Sequence, residues 1–111
     1  MVRVTLSPSQ EELKYVKYEF EKEGFICFED PFDRDRADMV ALREDKILLI
    51  ELRTTSHDIE TKMKLMIRRK DFYEKLSKRK VEYCLVIPRI DEEVKRKLEN
   101  LGIRVMERSL F

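Results

Sequence analysis

The octapeptide VEYCLVIP, residues 81–88, constrains the fold more than any other stretch of the chain. It is a nearly continuous apolar run containing Val and Ile, too short for a typical helix, and it lacks the polar alternation of a half-exposed strand. Such a run reads as a strand covered on both faces, as in sheets sandwiched between helices. Pro88 has no N–H to donate to a ladder and stops it.

The covering layers must come from amphipathic helices, and three segments have that spacing. In SPSQEELKYVKYEFEKEGF, Ser7 or Ser9 is placed to cap, Leu13, Val16 and Phe20 form one stripe, and Gly24 is placed to end the helix. From Asp58 to Ser77 no Gly or Pro interrupts; Ile59, Met63, Met66 and Tyr73 share one side, which Leu65, Phe72 and Leu76 widen. DEEVKRKLENLG puts acids first and Gly102 last, as a capped helix does.

Between these lie further strand patterns. FICFE is short and aromatic, and DPFDRDR, with Pro31, is a polar loop. Residues 38–42 and 47–53 read as a hairpin turning at REDK. That turn is not the ideal two-residue type, because neither Glu44 nor Asp45 is Gly or Asn. IRVME is a last short strand. The order αβββαβαβ sends two strand connections through helices, which favours parallel pairing there and a mixed sheet in an α/β sandwich. At 111 residues, without repeat or linker, residues 1–111 form one domain.

Charged residues make up 42% of the chain, far above the usual quarter, with a single Gln and a single Asn, a pattern expected of a thermophilic source. The net charge of +1 gives no global attraction to nucleic acid or membrane. Charge is nonetheless uneven: Lys62 to Lys80 holds nine Lys or Arg against Asp71 and Glu74. That segment reads either as a solvated helix face or as a track for a phosphate backbone. No apolar run approaches the roughly 18 residues of a membrane span, and the N-terminus lacks a signal-peptide pattern, so the expectation is a cytoplasmic protein without membrane contact. Cys27 and Cys84 sit in apolar strand-like runs without metal or redox spacing and read as core thiols, a disulfide being the lesser reading.

The hairpin carries what folding does not require. If its turn is centred between Glu44 and Asp45, partners have numbers summing to 89, so Leu42 faces Ile47, Val40 faces Leu49 and Asp38 faces Glu51. Directly opposed like charges destabilise a strand pair. Alternation puts Arg53 on the face of Glu51 and Arg36 on that of Asp38, so the arginines could neutralise the acids. Alternatively, two carboxylates with a backbone carbonyl and water suit Mg²⁺ or Mn²⁺.

DMVAL, a turn and ILLIELR together resemble the core of the PD-(D/E)XK nuclease superfamily, where an acid opens one strand and an acid-any-Lys triplet lies on the next. The spacing and the preceding helix ending in EGF look most like the archaeal Holliday junction resolvases. The resemblance implies a restriction endonuclease-like sandwich, with a mixed central sheet flanked by helices. It further implies a metal-dependent DNA endonuclease, with branched or structured DNA as the substrate. Asp38 and Glu51 match the acids and would bind metal together with the Leu52 carbonyl. Glu12 best matches a further acid supplied by the N-terminal helix, ahead of Glu11 and Glu19. Ala37 stands where the family has Pro, and Arg53 where it has Lys. Arginine stays protonated, so Arg53 would offer fixed charge and a donor fork, or else fill the metal's place with an ion pair. In that second case the chain is an inactive module that binds DNA or protein.

The remaining candidates are contacts to DNA: Arg34 and Arg36 in the loop; Lys62 and Lys64 early in the long helix, which approach either the site or the DNA backbone; Arg68, Arg69 and Lys70 further along it; and His57 beside the motif, which reads more readily as a cap or surface residue. The resolvases work as dimers, and Met63, Met66 and Tyr73 could line a seam for a second copy as well as a core. Ser7, Ser9 and Ser56 lie in no nucleophile motif, and no glycine-rich phosphate loop is present.

Overall fold

The computed structural model describes residues 10–30, 37–44, 46–53 and 57–108, without the side chains of Glu60 and Met63. Ser7, Ser9, Pro31, Arg34, Arg36, Asp45 and Ser56, and the Met63 side chain, lie outside the described residues.

Eight elements follow in the order expected: α1 (Gln10–Lys22), β1 (Ile26–Phe28), β2 (Met39–Arg43), β3 (Lys46–Leu52), α2 (Ile59–Ser77), β4 (Lys80–Ile87), α3 (Glu92–Asn100) and β5 (Ile103–Glu107). The strands form one sheet in the order β1-β2-β3-β4-β5. β1, β2 and β3 pair antiparallel, whereas β3, β4 and β5, joined through α2 and α3, pair parallel. Parallel neighbours need such a crossover to bring the chain back to the same end of the sheet, and α2 and α3 supply it.

The sheet is covered on both sides. On one face Val16 and Phe20 of α1 pack with Cys27, Met39, Ala41, Leu48, Ile50, Leu52, Cys84 and Val86. On the other, Ile59, Met66 and Tyr73 of α2 and Leu98 of α3 pack with Val40, Ile47, Leu49, Val81, Tyr83, Leu85 and Ile87. Successive residues of β4 thus supply opposite layers, as its uninterrupted apolar sequence predicts. Burying each such Leu, Ile or Val contributes about 1.5–3 kcal/mol, so this strand alone stabilises the fold substantially.

Helix ends largely follow their sequence signals. Gly24 and Gly102 adopt φ of 91° and 85°, the left-handed conformation that lets the chain leave α1 and α3. At α3 the expected cap is incomplete: Asp91 occupies the N-cap with extended backbone, but its side chain makes no capping hydrogen bond. The acids of the first turn still complement the helix dipole. α2 begins after Asp58 and ends at Lys78, both with positive φ (56° and 57°).

Two expectations need correction. Phe72 and Leu76 do not widen the buried stripe of α2 but remain 48% and 66% exposed. Among the described residues, the helix rests on β4 through a stripe of Ile59, Met66 and Tyr73. Arg69 falls on that stripe and is buried, so it is no surface contact for a phosphate backbone. At the hairpin tip, Arg43 pairs with Lys46, so the turn is centred between Glu44 and Asp45 as the numbering of the hairpin requires. Glu44, neither Gly nor Asn, takes a positive φ of 54° to make it.

Among the described residues, no helix is long and apolar enough to cross a membrane. Both cysteines are free and buried. Burial pushes the Cys27 thiol up to about 11 and that of Cys84 up to about 12, as expected of inert core thiols.

Candidate active site

The register places the acids as the hairpin arithmetic requires. Leu42 pairs with Ile47, Val40 with Leu49 and Met39 with Ile50. One position further, the Asp38 amide donates to the Ile50 carbonyl at 3.0 Å. Strand alternation puts Glu51 on the face of Ile47 and Leu49, beneath α2, and Asp38 on the same face as Val40. The Leu52 amide donates to Asp38 Oδ2 at 2.7 Å, which fixes that carboxylate against the peptide joining Glu51 to Leu52.

Glu51 is 4% exposed. Its Oε2 lies 3.3 Å from Lys62 Nζ, one turn into α2, and its Oε1 accepts a long 3.5 Å hydrogen bond from the Tyr83 hydroxyl of β4. Burial first, and then the charge of Asp38, pushes the Glu51 carboxyl up to about 7, despite the opposing pull of Lys62 and, more weakly, Arg53. The same surroundings, burial above all, raise the Tyr83 hydroxyl far beyond its ordinary range, so it acts as a donor and not as a phenolate.

The cation on Glu51 is thus lysine, as in the family pattern, but supplied by the following helix instead of the strand. Arg53, half-buried at the end of β3, points a guanidinium NH₂ at the His57 carbonyl, 2.7 Å away. His57 itself is exposed, its ring 3.2 Å from the Asp58 carboxylate. Sequence reasoning allows Lys62 either the site or the DNA backbone, and its place on α2 puts it at the site. Lys62 is three residues after Ile59 and four before Met66, on the stripe that α2 turns toward the sheet.

Glu12 is half-buried on α1, four residues before Val16 on the stripe that packs on the sheet, and its helix neighbours Gln10 and Leu13 line the cleft beside Asp38. That cleft, about 240 Å³, is lined by Gln10, Leu13, Lys14, Lys17, Cys27, Phe28, Glu29, Asp38 and Met39. Among the described residues no third His, Cys, Asp or Glu joins Asp38 and Glu51 in a metal-holding group. Lys64 and Arg68 are exposed on α2, and Lys70 is bound to Glu74 at 2.7 Å. Glu19 pairs across to Arg108 at 3.0 Å, which holds its carboxyl below the usual range.

The acids offer oxygen alone, two carboxylates at one end of the sheet. Mg²⁺ and Mn²⁺ are bound in such settings through one or two carboxylates completed by carbonyl oxygen and water, so the residues present fit a hard divalent cation.

Comparison with known proteins bears on the family and the fold. A family model described as the PD-(D/E)XK nuclease superfamily matches residues 36–104. No curated protein sequence matches the chain. A repair endonuclease from Pyrococcus abyssi superposes with a TM-score of 0.72 at 23% identity, covering 98% of this chain and 50% of its own. EndoMS in its complex with double-stranded DNA gives 0.71 at 18% identity, covering 99% and 48%. The small subunit of the heterodimeric restriction endonuclease R.BspD6I gives 0.54 at 15% identity, covering 72% and 45%. The chain spans about half the length of the structures it matches.

Proposed function

The chain belongs to the PD-(D/E)XK nuclease superfamily, and from that premise we propose that it is a DNA endonuclease dependent on Mg²⁺ or Mn²⁺. The observation that carries this reading is the acid pair itself. Asp38 and Glu51 meet at one end of the sheet, at an electrostatic cost to Glu51 that the fold alone does not explain.

Asp38, Glu51 and the Leu52 carbonyl would hold the ion. When bound, such an ion stabilises charge on a phosphate oxygen and activates a water. The chain's own residues do the rest. The Leu52 amide and the Tyr83 hydroxyl each hold one acid in place. Lys62, flexible and with a compact charge, takes the position that Arg53 cannot fill, beside both the acid and the space where a phosphate would sit. Arg53 braces the chain between β3 and α2 by its bond to the His57 carbonyl. The exposed Lys64 and Arg68 supply phosphate contacts along α2.

A cytoplasmic location belongs to this proposal and is read from cell fractionation. A duplex-bound neighbour supports duplex DNA as the first substrate to try, with branched DNA, expected from the likeness to the resolvases, as the second. A homodimer belongs to the same proposal and is read from the mass in solution. The test is incubation with duplex, branched and single-stranded DNA in Mn²⁺. Cleavage abolished by Asp38→Ala supports the proposal; no cleavage, or cleavage unchanged in that variant, ends it.

The second reading, a silent DNA- or protein-binding module, rests on the ion pair between Lys62 and Glu51, which neutralises the acid without metal. It predicts salt-sensitive DNA binding without Mn²⁺ affinity. Calorimetric Mn²⁺ binding that disappears in Glu51→Ala counts against it.

A further inference from the structure

A second buried carboxylate lies next to the site without belonging to it. Asp30, two residues after β1, is 2% exposed, and its two oxygens have separate partners. Oδ2 accepts from the Ala37 amide at 2.7 Å, and Oδ1 accepts from the Tyr73 hydroxyl at 2.5 Å. The first partner is the residue immediately before Asp38. The second lies on α2, eleven positions after Lys62 and on the same stripe, three turns along the helix.

A buried carboxylate is costly unless its lone pairs are satisfied, and these two bonds are short and charge-assisted. They link the segment leading through Asp38 into β2 to the helix that carries Lys62. Arg69, buried one turn before Tyr73, adds a positive charge felt by both Tyr73 and Tyr83. Tyr83 in turn reaches Glu51. Beyond Ala37, the Asp38 amide is held by Ile50 and its side chain by the Leu52 amide. Two polar chains thus run beneath α2, one from Ala37 through Asp30 to Tyr73 and one from Tyr83 to Glu51, with the charge of Arg69 felt by both tyrosines, and Asp30 is the member that joins strand to helix.

We propose that Asp30 is a positioning residue: through Ala37 and Tyr73 it sets where Asp38 stands relative to Glu51 and Lys62. In its catalytic consequence this rests on the nuclease reading; in its structural part it does not. It makes Asp30 more than a contribution to fold stability, because the bonds it makes end at the two arms of the site.

The test uses the full chain with Tyr73→Phe, which deletes one hydroxyl from an otherwise unchanged core, and with Asp30→Ala. The Leu52 amide, bonded to the Asp38 carboxylate, reports on the position of Asp38 by hydrogen exchange, and the Leu85 amide in the middle of β4 reports on global opening. Expected is exchange at Leu52 accelerated about tenfold relative to Leu85, with kcat lowered about tenfold and KM nearly unchanged, since small misplacements of reacting groups cost rate more than binding. If the two amides accelerate together, or kcat is unchanged while the melting temperature falls, Asp30 only stabilises the fold and the proposal is overturned. If Asp30→Ala does not fold, Tyr73→Phe carries the comparison. If the unaltered chain neither cleaves DNA nor binds Mn²⁺, the nuclease reading fails, and the ratio of Leu52 to Leu85 exchange still decides whether Asp30 fixes Asp38.

Discussion

Lys62 Nζ stands 3.3 Å from Glu51 Oε2, so the acid of the strand motif takes its cation from the helix that follows and not from Arg53 two residues on. The two cations are therefore unequal. Lys62→Met is expected to lower kcat by roughly a hundredfold, the scale of removing one positioned charge at a reacting centre. Arg53→Met, which removes a brace to the His57 carbonyl, is expected to cost about tenfold or less. Steady-state cleavage kinetics on one DNA substrate separate the two; equal losses contradict the assignment.

The Glu51 carboxyl, raised by burial and by Asp38 to about 7, makes stability fall as pH rises. Between its unfolded value near 4.5 and about 7 the folded chain holds the proton more tightly than the unfolded one. The stabilisation is therefore complete below about pH 4.5 and lost as pH climbs through 7. Glu51→Gln should raise stability at pH 8 by about 1–3 kcal/mol and leave it unchanged near pH 4. Urea titrations at the two pH values measure this. Over the same range Mn²⁺ affinity of the unaltered chain should weaken below pH 7, where Glu51 takes up a proton.

Arg68 and Arg69 are neighbours in sequence with opposite surroundings, one exposed and one buried. Arg69→Ala should destabilise the fold by about 2–4 kcal/mol, because it empties a buried position and leaves polar partners without a cation. Arg68→Ala should change stability by less than about 0.5 kcal/mol. It should also reduce the salt dependence of DNA binding by about one phosphate contact. Thermal melts and binding isotherms at two salt concentrations distinguish them.

Glu44 holds a positive φ of 54° in the hairpin tip, where a side chain is disfavoured. Glu44→Gly should stabilise the fold by about 0.5–1 kcal/mol without touching cleavage, since the tip lies at the far end of the hairpin from Asp38 and Glu51. A shift in the denaturation midpoint with unchanged kinetics is the expected pair of results.

The layers of the fold were legible because burial leaves a pattern one residue at a time. VEYCLVIP announced a doubly covered strand, and the summed numbering of the hairpin located Asp38 opposite Glu51 before any coordinates did. What stayed hidden depends on how far a side chain reaches between elements. Arg69 reads as a surface cation, and Lys62 as a cation of either the site or the DNA backbone. Helical spacing puts both on the stripe that α2 turns toward the sheet, but nothing local says which acid or hydroxyl such a cation meets there. Asp30 was hidden for the same reason, its partners being 7 and 43 residues away. Phe72 and Leu76 erred in the other direction, since hydrophobicity marks what a helix could bury and not how wide a strip its neighbours cover.

The two cysteines, both buried and with thiols raised to about 11 and 12, make this chain chemically quiet toward oxidants and alkylating dyes. Mn²⁺ titrations can therefore be run without thiol reductants, which themselves bind the metal. A single cysteine introduced at an exposed position of α2 would then be the one site to take a fluorophore, so the approach of DNA to this helix can be followed optically in the otherwise unaltered chain.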